Sequence, residues 1–109
     1  MIIGQSLAST QTVYSPWFDR MSSEALFYLD IIAVMSGVRL DVVIQHKKRT
    51  EADSAASTIA TFTQITTTGI KEVSASSLRE LVRFKFTVTD AGSMAWIHFR
   101  VMPTIWRTD

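Results

Sequence analysis

Apolar and polar residues alternate with a period of two along most of this chain, as they do in strands that bury one face. The strongest run of this kind is Glu24–Lys47, EALFYLDIIAVMSGVRLDVVIQHK. It predicts two long strands, Ala25–Met35 and Val38–Lys47, joined by a tight turn at Ser36-Gly37. Written as a hairpin, Met35 faces Val38, Ala33 faces Leu40, Ile31 faces Val42, Leu29 faces Ile44 and Phe27 faces His46. That face is almost wholly apolar. It fixes the register, because a slip by one residue would turn the whole set to the wrong side. The other face pairs Val34 with Arg39, Ile32 with Asp41, Asp30 with Val43, Tyr28 with Gln45 and Leu26 with Lys47. It is too apolar for plain solvent and too charged for a core, so an arm, a tail or another subunit is expected to cover it. Ser-Gly is a weaker hairpin turn than Asn-Gly. A four-residue loop through Met35 and Val38 would keep the same pairing.

The rest of the chain continues in short strands. Met1–Thr12 is small and polar after Ile2-Ile3 and reads as an extended arm. Val13–Phe18 holds three aromatics and Pro16, which suits a sheet edge. Asp19–Ser23 is a turn. Lys48–Ser57 is a polar loop that could hold one helical turn but no helix. Thr58–Ile65 is a strand and Thr66–Gly69 a turn. Ile70–Ala75 is a short polar edge strand, and Ser76–Glu80 a corner or single 3₁₀ turn. Leu81–Thr89 alternates cleanly, with Val82, Phe84, Phe86 and Val88 inward. Asp90–Ser93 turns into Ala95–Val101, which sends Ala95, Ile97, Phe99 and Val101 inward and Trp96, His98 and Arg100 outward. Pro103 stops that strand, and 104–109 is a tail.

Polar turns every 8–12 residues and no helical stripe predict an all-β protein: an antiparallel β-sandwich of about seven to eight strands, Ig-like or jelly-roll. The expected boundaries are an arm over 1–12, a sandwich domain over 13–103 and a tail over 104–109.

Composition narrows the functions. One domain suits 109 residues. There is no Cys, which excludes disulfides, thiolate metal sites and Cys nucleophiles. The 11 basic and 10 acidic residues nearly cancel, so no polyanion-binding field is expected and nucleic acid is not a predicted partner. The basic run His46–Arg49 is followed by Glu51 and Asp53 and reads as a solvated loop. The N-terminus lacks the pattern of a secretory signal. The longest apolar window, Ala25–Met35, is interrupted by Asp30 and falls well short of the ~20 residues that span a bilayer, so no membrane partner is expected. Yet 47% of residues are hydrophobic, an excess that predicts apolar surface covered by another chain.

Catalysis needs a constellation, and none is legible. His46 and His98 sit on different strands, without the spacing of a zinc site. Four glycines occur, none in a phosphate-loop pattern, and no serine sits in GxSxG. Asp30, mid-strand among apolar neighbours, could act as a general acid. It reads more simply as an acid paired with Lys or Arg on a subunit-facing sheet. No enzyme, cofactor or metal is expected.

Binding is what the aromatics suggest. Trp17, Phe18, Trp96 and Trp106 are the expected anchors, with His98 beside Trp96. Tyr28, Asp30, Ile32 and Val43, on the mixed face, are expected to form a self-association or core-closing surface. A plainer role for Trp17 and Trp106 is to cap their own core. Rings on a sandwich face could also stack on sugars.

From Trp17 to Trp106 the chain resembles small β-sandwich structural proteins of tailed bacteriophages, through WFDRMSSEALFYLDIIAVMSG, LDVVIQHK, LRELVRFKFTV and WIHFRV. The resemblance implies a virion component made in the host cytoplasm. It implies a head decoration (cement) protein on the capsid surface that binds the major capsid protein. Homo-oligomers, trimers above all, are what it implies for assembly. A neck or tail-fibre adaptor is the alternative within the virion. The same strands are also similar to discoidin-like jelly rolls, which bind sugars or lipid head groups, and that keeps a carbohydrate-binding module as the other reading.

Overall fold

The computed structural model describes residues 2–5, 10–89 and 95–107. Its strands are β1 (Ile2–Gln5), β2 (Thr10–Tyr14), β3 (Phe18–Asp19), β4 (Glu24–Val34), β5 (Arg39–Lys47), β6 (Ser57–Thr61), β7 (Gly69–Ala75), β8 (Leu81–Thr89), β9 (Ala95–Val101) and β10 (Ile105–Arg107). A single 3₁₀ turn, Asp53–Ala55, lies in the loop between β5 and β6. The turn expected over Asp90–Ser93 lies outside the described residues.

The strands form two antiparallel sheets packed face to face. In sheet A, β4 pairs with β7 along one edge and with β9 and then β10 along the other, and β1 adds to β9. In sheet B, β5 pairs with β8 and β6, and β2 and β3 together line the far edge of β8. Taking β2 with β3, and β9 with β10, as interrupted strands, every consecutive pair except β5 and β6 passes between the sheets, in the order of a jelly roll. That decides between the two sandwich types the alternation left open.

The largest departure from expectation is the pairing of the two longest strands. β4 and β5 do not form a hairpin: β4 lies in sheet A and β5 in sheet B. The turn between them explains why. Val38 N–H donates to the Met35 carbonyl at 3.1 Å, and Gly37 has φ 87° while Ser36 does not have a positive φ. Negative then positive φ is the type II pattern, whose twist splays paired strands instead of matching them. The chain therefore arches over into the other sheet. There β5 pairs over its whole length with β8, in register from Arg39↔Thr89 to Lys47↔Leu81.

The inward set survives this change. Ala25, Phe27, Leu29 and Ile31 of β4 and Leu40, Val42 and Ile44 of β5 are all buried, but they meet across the core instead of side by side. One parity does change. Between Ile31 and Ala33 the pairing of β4 with β9 slips, so Ile32 is an extra residue in a bulge. Beyond it Val34, opposite Ile97, packs on the core, and Ala33, opposite His98, does not. Val101, expected inside, is 41% exposed near the end of β9.

Aromatic rings zip the sheets together. Phe86 of sheet B stacks on Phe84 at 5.7 Å and meets Phe99 of sheet A at 5.0 Å. Phe27 of sheet A meets Phe84 edge-on at 5.6 Å. Phe18 and Trp106 close the end of this series, 6.5 Å apart, each also touching a core phenylalanine. The segment read as an arm supplies β1 and the first three residues of β2, which join different sheets, and the segment read as a tail supplies β10. Ser77, at φ 58°, lets the corner after β7 turn so that Leu78 enters the core, where its N–H reaches the Ser23 carbonyl.

His46 ends the inward row of β5, and Nδ1 accepts a hydrogen bond from the Arg79 backbone N–H at 3.1 Å. Burial, and then the nearby Arg79 charge, lower its pKa below the ordinary His value, against a smaller opposing pull from Glu51. The unfolded chain therefore takes up this proton first as pH falls. Stability held above pH ~6.5 is lost as pH drops through the window between that value and the lower folded-state pKa. Thermal melts between about pH 7 and pH 5 are expected to show a steeper loss for the wild type than for His46→Gln, which keeps an acceptor without the titration. Equal slopes would mean that His46 does not contribute.

Candidate interaction surfaces

The outward positions of the two sheets form two different faces. Sheet A's face carries most of the exposed large apolar side chains. Ile32, Ile70, Trp96 and Ile105 lie on its strands, and Met35 follows directly after β4; Val101, opposite the buried Leu29, is instead exposed at the end of the inward row of β9. Sheet B's strands contribute Tyr14. Pairing sets the sheet A surface: Ile105 stands opposite Leu26, Tyr28 opposite Glu72, and Asp30 between Ile70 and Arg100. Tyr28, Ile70, Met102, Pro103 and Ile105 line a shallow apolar depression there. Met102 N–H donates to the Tyr28 carbonyl at 3.0 Å, which holds the Met102–Thr104 break between β9 and β10 against β4. The Asp30 carboxylate accepts from Arg100 Nε at 3.0 Å, so this mid-strand acid is one half of an ion pair. Desolvation, and then a hydrogen bond to Glu72, raise the Tyr28 phenol above its ordinary pKa.

The residues singled out in the sequence fall in different places. Tyr28, Asp30 and Ile32 share the sheet A face with Trp96 and His98. Trp96 is 43% exposed and stands opposite Gly4, and His98 is half-buried between Ile2 and Ala33 positions. Val43 is not with them. It lies on sheet B's outer face, opposite Lys85 and Thr61, because the arch puts β4 and β5 back to back. Phe18 and Trp106 turn into the core, where their rings meet each other and Phe84 or Phe27. Trp17 is also engaged: its Nε1 donates to Asp53 at 3.0 Å, and Lys47 Nζ and Arg83 Cζ lie 4.9 and 4.3 Å from its ring centre. Lys47, buried, donates to the same Asp53 carboxylate at 2.7 Å, and that bond above all holds Asp53 below the usual carboxylate pKa.

Ile70, Met102, Pro103 and Ile105 were not legible as a group. Ile70 is visible as an outward apolar residue on a polar strand. Its meeting with a segment thirty-odd residues later depends on both flanking β4. Among the described residues no three His, Cys, Asp or Glu side chains gather as a metal site would need, and no helix is long and apolar enough to cross a membrane.

These features define the class of the protein, a jelly-roll β-sandwich with one apolar and one basic-aromatic outer face. Compared with protein-family models, with curated proteins and with solved structures, the chain has no significant match.

Proposed function

We propose that this chain is a non-catalytic structural protein of a bacteriophage particle, a decoration protein that docks the outer face of sheet A onto the major capsid protein. The observation that carries the reading is the gathering of exposed apolar side chains on that one face, around Tyr28, Ile70 and Ile105. Grouped apolar residues on a rigid sheet mark a partner surface, whereas scattered ones do not. The jelly roll supports the reading as a fold used in viral shells, although it also serves lectins and enzymes. A protein that bridges neighbouring capsid subunits stabilises the shell, since removing one subunit then breaks contacts to several. Clusters of this protein, three copies at a symmetry axis, would multiply those contacts.

The test is co-sedimentation of the purified protein with undecorated capsids of the phage that encodes it. The double variant Ile70→Lys with Ile105→Lys, which sets no like charge opposite Asp30, is expected to lose at least tenfold in occupancy. Burying two isoleucines is worth ~1.5–3 kcal/mol each, before association costs. Its thermal melt should match the wild type, because both side chains are exposed. If wild-type protein stays with the supernatant and leaves capsid heat stability unchanged, the reading fails. One observation favours a second reading: Trp96, open on the same face, could stack on a sugar ring. A specific glycan ligand lost on Trp96→Ala would select it.

A further inference from the structure

Sheet B's outer face is built for charge. Arg83 Cζ lies 4.1 Å from the Tyr14 ring centre and 4.3 Å from that of Trp17, and its Nε donates to Gln45 Oε1 at 2.8 Å. Two rings and an amide fix the plane of this guanidinium, so little freedom is left to lose on binding. Lys85 follows two residues along the same face of β8, its Nζ 5.9 Å from the Tyr14 ring. Among the described residues Lys47, Arg49, Arg79 and Arg100 each pair with a carboxylate, whereas Arg20, Arg39, Lys48, Lys71 and Arg107 do not. Nor do Arg83 and Lys85. Two acids lie nearby. Asp53 is bonded to Lys47 and Trp17, with Arg83 adding only a smaller electrostatic pull on it, and Asp41, on the same face, accepts from the Gln64 amide at 3.2 and 3.3 Å.

We infer that Arg83 and Lys85 form a recognition site for an acidic, extended peptide segment of a protein partner. Alternate residues on a strand stand ~6.6 Å apart, so carboxylates at every second position of an extended peptide match the spacing of these two cations. Arg83 offers its fixed fork to one carboxylate and Lys85 a mobile ammonium to the next. A nucleic acid fits less well: two cations on a chain of net charge +1 make a weak field for a polyanion. A sugar fits less well too, since Tyr14 and Trp17 already carry cations over their rings. The site is separate from the sheet A face and does not depend on the capsid reading.

The probe is a fluorescein-labelled heptapeptide of alternating serine and glutamate, titrated by anisotropy at low salt. A single-stranded oligonucleotide of equal charge is the comparison. Lys85→Glu and Arg83→Gln are each expected to weaken peptide binding at least tenfold. Arg107→Glu makes the same charge change as Lys85→Glu on sheet A and should weaken binding less than twofold. Lys85→Glu touches none of the core, so its melt should stay at the wild-type value even if Arg83→Gln loosens the Trp17 segment. No peptide binding by the wild type overturns the inference. So does an equal loss with Arg107→Glu, or tighter binding of the oligonucleotide.

Discussion

Phe86→Ala is expected to cost about 3–5 kcal/mol of unfolding free energy, the usual range for truncating a buried aromatic ring. Phe86 is fully buried and is the ring through which sheet B meets Phe99 of sheet A, 5.0 Å away, while stacking on Phe84 within its own strand. Removing it deletes apolar burial and leaves a hole between two sheets whose backbones are held by their own ladders, so collapse can fill little of it. A domain of this size has a total stability of about 5–15 kcal/mol. The variant therefore keeps about 0–12 kcal/mol, and at the low end of that range a sizeable fraction of molecules is unfolded at ambient temperature. Phe86→Leu keeps most of the volume and is expected to cost about 1–1.5 kcal/mol. Urea titrations check both, with an unchanged dependence on denaturant as the sign that the unfolded state is the same. A loss below about 1 kcal/mol for Phe86→Ala would mean that the rings do not hold the sheets together.

Trp106→Ala should cost about 2–3 kcal/mol, less than a fully buried ring because one side of the indole reaches the surface. The effect has a defined place. Trp106 is the middle residue of β10, a three-residue strand paired to Glu24–Leu26, and its ring is what fastens that strand to Phe18 and Phe27. Hydrogen exchange at Ile105–Arg107 is expected to rise sharply in the variant, with the β5–β8 pairing still protected. The result also separates two roles for this tryptophan. A cap on its own core lowers stability when removed. An anchor for a partner would leave the melt unchanged and weaken association instead.

The outcome for the hairpin shows how alternation informs and where it stops. Period-two patterning says which side chains of Ala25–Lys47 share the interior, and Phe27, Leu29, Ile31, Leu40, Val42 and Ile44 are there. It does not say whether the two strands lie beside each other or across from each other. A hairpin and an arch both turn the same set toward the core. Their outer sides differ: in the hairpin Asp30 and Val43 would be neighbours, and in the arch they point away from each other on opposite faces of the molecule. The surface expected from the sequence therefore divides. Tyr28, Asp30 and Ile32 stay together, and Val43 joins Lys85. The aromatics follow the same logic. Trp106, in the segment read as a tail, was expected either to anchor a partner or to cap its own core, and its ring partners are Phe18 and Phe27, distant in sequence, which only packing could bring within contact.

The sequence by itself determined most of the strands, the buried rows of β4, β5 and β8, the edge placement of the Pro16 and Ile70 segments, and the all-β class. All of these depend on residues a few positions apart. The tertiary structure alone decided the jelly-roll order, the arch at Ser36-Gly37, the bulge at Ile32 and the two outer faces. Each of these depends on which distant strand competes best for an edge. β5 is held on one edge by β8 over its whole length and on the other by β6, and β4 is held on both edges by β7, β9 and β10, so neither keeps an edge for the other.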